Sequence, residues 1–258
     1  MAKIMDYSKK TAEIIVDLNT VLFNITNGFT SPTGALSPVT IDNTKLISYP
    51  KFHEKIISYM IKLIKNNINI DEIDVVAGTA VGGVPHAAII AHKLGKPMVF
   101  TKISSTKDSK NTKNNTPLKR NVEGILEPKS RVLLIEDHVI TGTNTLASID
   151  AIRDNQSEVL MCVSISNDGL SKSLENFKQN GINFLSLTYL NDILDIAIKK
   201  NKISSKQEIM IKRWQKDPMR FDEWMNTKRN KGFSFSYPNP VVINAASFNQ
   251  GSTLGYNF

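Results

Sequence analysis

Two adjacent acidic residues, Glu136 and Asp137, directly follow a run of four apolar residues at positions 132–135. A short apolar run is typical of a strand that is buried on both faces of a parallel sheet. Carboxylates at the end of such a strand can accept hydrogen bonds from vicinal sugar hydroxyls or help to hold a divalent metal ion. The pattern therefore indicates a sugar site or a metal site at one edge of a sheet.

Small and hydroxyl-bearing residues come shortly after the acid pair. They are Thr141, Gly142, Thr143, Asn144 and Thr145, and a helical pattern begins behind them. Free N–H groups at the start of a helix favour an anion, usually a phosphate, and hydroxyl side chains add further donors. A sugar site next to a phosphate site suggests a ribose 5-phosphate. The alternative is an ordinary strand and capped helix with a solvated acidic pair.

A second strand, loop and helix are predicted at residues 73–94, with Gly82 and Gly83 in the loop. These glycines let backbone N–H groups approach a ligand without interference from a Cβ atom. His86 stands at the start of the helix, where a packing role is more typical than a catalytic one. We expect a hollow between this loop and the acid pair.

Apolar runs and helical patterns also alternate along the rest of the chain. Helices are predicted within 8–22, from Tyr49 onward, around 174–177 and at 190–198, and strands at 98–102, 158–165 and 183–187. Residues 29–43 are rich in turn formers and are consistent with a simple hairpin. Residues 104–121 form a polar loop, which at this length is either functional or disordered.

The composition is that of a folded protein in a reducing compartment. The chain has 258 residues, of which 41% are hydrophobic, enough for one sizeable domain with appendages. The net charge of +8 allows a polyanionic partner, but outside the polar loop the basic residues are scattered and they do not alternate with aromatic residues, which argues against nucleic-acid binding. The single cysteine, Cys162, lies in an apolar run and is predicted to be a core residue. The sequence shows neither a signal peptide nor an apolar run of membrane-spanning length, which predicts a cytoplasmic protein without a membrane partner.

Residues 136–144, Glu-Asp-His-Val-Ile-Thr-Gly-Thr-Asn, resemble the phosphoribosyl pyrophosphate (PRPP) signature of type I phosphoribosyltransferases, E-D-V-I-T-T-G-G-S. The match is incomplete, because His138 stands at an aliphatic position and Ile140 where a small hydroxyl residue is usual. Thr143 replaces a glycine, and Asn144 replaces serine or threonine. In that family the acid pair contacts the ribose hydroxyls and the loop binds the 5-phosphate.

Two further segments resemble the orotate branch of that family. Residues 78–87 are similar to its pyrophosphate loop, G-x-A-T-G-G-I-P-H-A. Residues 29–44 are similar to its base-binding stretch, F-T-x-x-S-G-x-K-S-P-x-Y-x-D-x-R, in which Ser37 agrees. Leu36, Thr40 and Thr44 replace the lysine, the aromatic residue and the arginine of that stretch. The order of the motifs is more specific than any one of them.

The polar loop can be compared with the family's closing loop, R-K-x-x-K-x-H-G, whose cations stabilise the departing pyrophosphate. Lys102 and Lys107 align with the two lysines only if two extra residues lie between them. Thr101 then replaces the arginine and Ser109 the histidine. The resemblance makes Lys107 and Asp137 the catalytic candidates and Lys102 a substrate-binding one. No metal ligand is assigned.

The resemblance implies an α/β fold of the type I phosphoribosyltransferase kind, with a mainly parallel central sheet flanked by helices and a small N-terminal hood. It further implies transfer of ribose 5-phosphate from PRPP to orotate, which gives orotidine 5'-monophosphate and pyrophosphate in pyrimidine synthesis. The cofactor would be Mg²⁺, and the enzyme a homodimer. Hypoxanthine or uracil remains open as the acceptor, because the base-binding segment is the altered one.

Two domains are predicted, at 1–230 and 231–258. Residues 232–258 carry no charge but six aromatic residues, which favours an extended arm docked on another surface over an unstructured terminus. This arm and the altered motifs suggest an alternative function. The fold would then serve as a weakly active or inactive scaffold, held by the arm in a larger assembly such as a viral particle.

Overall fold

The structure is a computed structural model that describes residues 2–30, 35–103 and 120–218. These residues belong to one compact unit, Met1–Asn226. Lys107, Ser109, the predicted domain boundary near residue 230 and the C-terminal arm lie outside the described residues.

Six strands, numbered along the chain, form the central sheet. Side by side they are β10 (Phe184–Tyr189), β9 (Glu158–Asn167), β8 (Arg131–Val139), β5 (Val75–Thr79), β6 (Met98–Ile103) and β7 (Arg120–Glu123). The first five strands are parallel to one another, and β7 at the edge pairs antiparallel with β6. The predicted α/β fold with a mainly parallel sheet is confirmed.

Helices cover both faces of this sheet, which is why its central strands are apolar without alternation. On one face, a core cluster contains residues of α1 (Ala2–Asp17), α2 (Pro50–Lys65), α3 (Gly83–Leu94), α6 (Leu190–Lys199) and α7 (Ser205–Lys216). On the other face, a second cluster contains residues of α4 (Thr143–Asp154) and α5 (Ser171–Gln179). The β8 side chains divide between them, with Leu133 and Ile135 in the first cluster and Val132 and Leu134 in the second.

The N-terminal segment between α1 and α2 forms the hood. β1 (Val21–Phe23) pairs antiparallel with β4 (Val39–Ile41), and β2 (Phe29–Thr30) pairs antiparallel with β3 (Leu36–Ser37). A 3-10 helix, Asn43–Ser48, leads from the hood to α2, and another, Ile70–Glu72, precedes β5. The hood also contacts α7, because the Nε1 of Trp214 donates a hydrogen bond of 3.2 Å to the carbonyl oxygen of Leu36.

Three boundaries differ from the sequence prediction. The first helix ends at Asp17 rather than near residue 22, because Asn19 adopts a left-handed conformation (φ 50°) and the next residues join β1. The polar segment predicted as a loop through residue 121 already contains a strand from Arg120 onward, since an edge strand needs no apolar pattern. The helix α7 was not predicted, although Ser204 and Gln207 form a capping box at its start.

Two packing predictions are confirmed. Cys162 is fully buried on β9 and carries a free thiol, and His86 is fully buried on α3. In the described part of the chain, no helix has the length and apolar character needed to cross a membrane.

Candidate functional site

Glu136 and Asp137 lie near the carboxyl end of β8 and point to opposite faces of the sheet, because side chains alternate along a strand. Glu136 contacts Thr145 on α4, whereas Asp137 lies against Gly82 at the start of α3. We call residues 141–145 the hydroxyl loop and residues 80–83 the glycine loop. One end of β8 therefore touches both of the loops that the sequence singles out.

The carboxyl group of Glu136 is almost fully buried, since only 4% of the residue is exposed. Its Oε1 accepts a hydrogen bond of 2.8 Å from the Oγ1 of Thr145. Burial raises the pKa of Glu136 to about 7, and the charge of Asp137 adds to the rise. The hydroxyls of Thr145 and Thr79 and the charge of Arg120 lower this pKa, but burial outweighs them. Glu136 can therefore gain or lose a proton near neutral pH.

Asp137 packs directly on the glycine loop. A Cβ atom added at Gly82 would overlap the Asp137 carboxylate, and one added at Gly83 would overlap the carbonyl oxygen of Ile135. The two glycines therefore allow the loop to pack against the end of β8, a role that the sequence did not reveal. Burial raises the pKa of Asp137, while the neighbouring His138 lowers it.

The glycine loop presents free backbone donors. The N–H groups of Val81 and Gly82 donate no hydrogen bond to a described residue, whereas the N–H of Ala80 donates to the carbonyl oxygen of Thr101 at 2.8 Å. Val81 is 83% exposed, so solvent reaches this side of the loop. Adjacent free N–H groups at the start of a helix can bind an anion.

The hydroxyl loop divides into an exposed and a buried part. Gly142 has a φ of 79°, a left-handed conformation that favours glycine, and α4 begins directly after it. The hydroxyls of Thr141 and Thr143 lie 3.0 Å apart, and both residues are exposed, as is Asn144. Thr145 is only 2% exposed, and its hydroxyl is already bound to the acid pair. The exposed part can receive a phosphate, while the buried part fixes the orientation of a carboxylate.

A buried polar network behind the acid pair was not predicted. The Nδ1 of His138 lies 2.8 Å from the Oγ of Ser166, and its Nε2 lies 3.4 Å from the Oδ1 of Asp168. Asn43 donates from its Nδ2 to the same Ser166 Oγ and to the carbonyl oxygen of Asp137, each at 2.7 Å. Burial is the largest influence on the pKa of His138 and lowers it, but the charge and hydrogen bond of Asp168, the charge of Asp137 and the backbone of Ser166 together outweigh burial, so the net shift is upward. This network ties the end of the hood to the ends of β8 and β9.

Arg120 is a second residue that the sequence did not mark. It is 5% exposed, and its Nη1 donates to the carbonyl oxygens of Ala80 at 3.1 Å and Thr101 at 3.2 Å. Burial lowers the pKa of Arg120, whereas the charge of Glu136 raises it. A buried cation therefore stands beside the glycine loop and the acid pair.

The other predicted binding residues lie elsewhere in the described structure. Lys102 on β6 forms an ion pair of 2.9 Å with Glu123 on β7. Ser37 in the hood donates to the carbonyl oxygen of Val39 at 2.6 Å. Both are described residues, and neither has a hydrogen bond or ion pair with the acid pair.

The donor set suits a divalent ion that is shared with a substrate. In the described part of the chain, no group of three or more His, Cys, Asp or Glu side chains is arranged so that it could hold a metal ion. Because Glu136 and Asp137 point to opposite faces of the sheet, Asp137 on the side of the glycine loop is the candidate to hold Mg²⁺, an ion that is often bound by one or two carboxylates and completed by substrate phosphates and water.

Comparisons with known proteins agree with this geometry. Residues 43–179 match the family described as "Phosphoribosyl transferase domain". An orotate phosphoribosyltransferase of Enterococcus faecalis is 33% identical over 211 residues, which cover 82% of this chain and 96% of that protein. The enzyme of the same name from Listeria innocua is 29% identical over 83% of this chain and 98% of its own length.

Solved structures show the same fold at lower identity. Orotate phosphoribosyltransferase from Aeropyrum pernix aligns with a TM-score of 0.58 and 24% identity, over 75% of this chain and 99% of that one. The UMP synthase of Leishmania donovani aligns with a TM-score of 0.66 and 24% identity, over 81% of this chain and 42% of that one.

Proposed function

This chain belongs to the phosphoribosyl transferase family, and we propose that it transfers ribose 5-phosphate from PRPP to orotate, giving orotidine 5'-monophosphate and pyrophosphate. Membership of the family is shown by the match over residues 43–179 and by a relative that is 33% identical along 96% of its length. The choice of orotate is supported by the names of the relatives, which are orotate phosphoribosyltransferases.

One observation supports the reaction most directly. The end of β8 contacts the hydroxyl loop through Glu136 and the glycine loop through Asp137. PRPP carries a 5-phosphate and a pyrophosphate on two sides of one ribose. An acid pair between two anion-binding loops matches that order of chemical groups.

Each group of PRPP then has a binding partner. The Asp137 carboxylate and an ionised Glu136 accept hydrogen bonds from the ribose hydroxyls. The exposed hydroxyls of Thr141 and Thr143 and the start of α4 bind the 5-phosphate, with Asn144 beside them. The free N–H groups of the glycine loop bind the pyrophosphate.

In the reaction, a ring nitrogen of orotate loses its proton and forms a bond to C1 of the ribose, while the bond from C1 to the pyrophosphate oxygen breaks and its electron pair leaves with the pyrophosphate, which takes up the proton directly or through water. Negative charge collects on the departing pyrophosphate and positive charge on the ribose ring. The carboxylates lie on the ribose side, where they stabilise the positive charge. Mg²⁺, when held by Asp137 and PRPP, would neutralise part of the charge on the pyrophosphate. Lys107 is our candidate for assisting its departure.

Purified protein incubated with PRPP, Mg²⁺ and orotate should consume orotate, which is followed by its ultraviolet absorbance. Asp137→Asn keeps the shape of the side chain but removes its charge, and it should lose most of this activity. Asp150→Asn, on the exposed side of α4, is the matched control and should keep it. Parallel reactions with uracil and hypoxanthine test the base. Binding of PRPP without turnover of orotate would refute orotate as the acceptor.

We propose in addition that the enzyme depends on Mg²⁺, works as a homodimer and resides in the cytoplasm. Light scattering of the purified protein measures the oligomeric state, and titration with a chelator measures the need for the metal. None of the comparisons supports the alternative of an inactive scaffold.

A further inference from the structure

Arg120 holds one residue of the glycine loop in place. Its guanidinium donates to the carbonyl oxygen of Ala80, and the N–H of Ala80 donates to the carbonyl oxygen of Thr101. Both backbone groups of Ala80 are thus fixed. The next two residues along the chain are Val81 and Gly82, whose N–H groups are free among the described residues. The direction of these donors therefore depends on how Ala80 is held.

The position of this arginine is hard to explain by stability alone. Burying a guanidinium costs several kcal/mol unless hydrogen bonds and opposite charge compensate it, and an apolar residue often serves a core at least as well. Among the described residues, the Nε of Arg120 has no hydrogen-bond partner. The nearby opposite charge belongs to Glu136, which is itself part of the candidate site. A buried cation is therefore kept next to two groups that are proposed to bind PRPP.

The neighbouring strand offers no such cation at this point. The side chain of Thr101 is neutral and fully buried, and its Oγ1 donates to the Oγ of Ser148 at 2.7 Å. The guanidinium of Arg120 lies at the carbonyl oxygen of the same residue. Positive charge at the base of the glycine loop is thus supplied from the edge strand β7.

We propose that Arg120 is a positioning residue for PRPP, which holds Ala80 so that the N–H groups of Val81 and Gly82 face the pyrophosphate and which adds a fixed positive charge beside the acid pair. This inference rests on the PRPP part of the proposed function and is independent of the base. Loss of this arrangement should weaken PRPP binding roughly 10- to 100-fold, which corresponds to about 1.4–2.8 kcal/mol and is the size of the effect expected for a hydrogen bond to a charged group.

The test compares Arg120→Met, Arg120→Lys and the control Arg153→Met. Arg153 lies at the exposed end of α4, where it donates to the carbonyl oxygen of Asn180. PRPP affinity is measured by calorimetry with Mg²⁺ present, and the KM of each substrate, kcat and the melting temperature are measured alongside. We expect Arg120→Met to raise the Kd and KM for PRPP by the factor above and to leave the KM for orotate within about twofold. Arg120→Lys should fall in between, because it keeps the charge but loses the planar guanidinium whose Nη1 donates to both carbonyl oxygens.

Several outcomes would overturn this role. The role is refuted if both Arg120 variants bind PRPP with an affinity within twofold of the wild type. It is also refuted if Arg120→Met raises the KM values for PRPP and orotate equally and in proportion to a fall in melting temperature, and if Arg120→Lys restores neither KM value. If Arg120→Met does not fold, Arg120→Lys alone decides, and a PRPP affinity within twofold of the wild type then refutes the role. A wild-type protein that binds PRPP but leaves orotate unchanged refutes the proposed acceptor and not Arg120, whereas a wild type that does not bind PRPP refutes both.

Discussion

Gly82→Ala should destabilise the protein through a clash with one carboxylate. The backbone at Gly82 has φ −63° and ψ −40°, which alanine adopts without strain. The added Cβ would overlap the Asp137 carboxylate. Overpacking of this kind costs about 1–3 kcal/mol, and the loss of glycine's freedom in the unfolded chain offsets about 0.4–1 kcal/mol of that. The net loss should be ~1–2 kcal/mol, or a fall in melting temperature of roughly 2–8 °C for a domain of this size.

The cause can be isolated in a double-mutant cycle. In an Asp137→Ala background the carboxylate is gone, so Gly82→Ala should become neutral or slightly stabilising, a coupling of about 1–3 kcal/mol between the two positions. Gly83→Ala is the matched control, because its Cβ would meet the backbone carbonyl oxygen of Ile135, which the second substitution leaves in place. Its cost should be the same in both backgrounds.

Thermal unfolding without ligand, at one pH and followed by circular dichroism, measures all the variants. The explanation is wrong if Gly82→Ala costs as much in the Asp137→Ala background as in the wild type. It is also wrong if Asp137→Ala rescues Gly83→Ala equally well, since the rescue would then reflect a general loosening of the loop.

Three further predictions concern buried titratable side chains and the contact between α7 and the hood. The pKa of Glu136 is raised to about 7 in the folded state, so the folded protein holds a proton that the unfolded chain releases, and stability falls as pH rises from about 4.5 to 7; Glu136→Gln should remove this loss, about 3 kcal/mol at most, in melting curves from pH 5 to 8. Burial lowers the pKa of His86 to about 3, and His53, whose Nε2 lies 2.8 Å from the Nδ1 of His86, is shifted the same way. Stability should therefore fall as pH drops below about 6.5, by up to about 5 kcal/mol for His86; the double variant His53→Leu/His86→Leu should flatten this side of the curve, and His92→Leu, on the exposed side of α3, should not. Trp214→Phe removes the hydrogen bond to Leu36 in the hood and should raise the KM for the base severalfold more than the KM for PRPP; equal changes in steady-state kinetics would contradict a link between α7 and base binding.

Local patterns were sufficient to predict the sheet and the two loops. The apolar run before Glu136 and the glycines at 82 and 83 are signals within a few neighbouring residues, and the structure brings them together at the end of β8. These signals work because a buried parallel strand and a helix start each need particular residues at fixed spacing. Their order along the chain then indicated how the elements are arranged.

Contacts between distant segments could not be read in this way. His138 and Asp168 meet only because β8 and β9 are neighbours in register, and a histidine in an apolar strand does not name its partner. Arg120 lies at the end of a long polar segment, and the sequence did not distinguish it from the other basic residues there. Thr145 was assigned to the phosphate by its motif, but the rotation of α4 turns its hydroxyl to Glu136. Each of these contacts depends on a side-chain direction that tertiary packing decides.

The alternation along β8 gives the two acids different surroundings and therefore different properties. Glu136 faces α4 with the hydroxyl loop and is nearly fully buried, whereas Asp137 faces the start of α3 with the glycine loop. A slip of β8 by one residue would exchange these faces and place each acid against the wrong loop. The register of β8 with β5, from Val75 opposite Val132 to Gly78 opposite Ile135, prevents this slip through a ladder of main-chain hydrogen bonds. The spacing of the two loops that are proposed to bind the phosphates of PRPP therefore depends on strand pairing in the core, several residues away from any group that would touch the substrate.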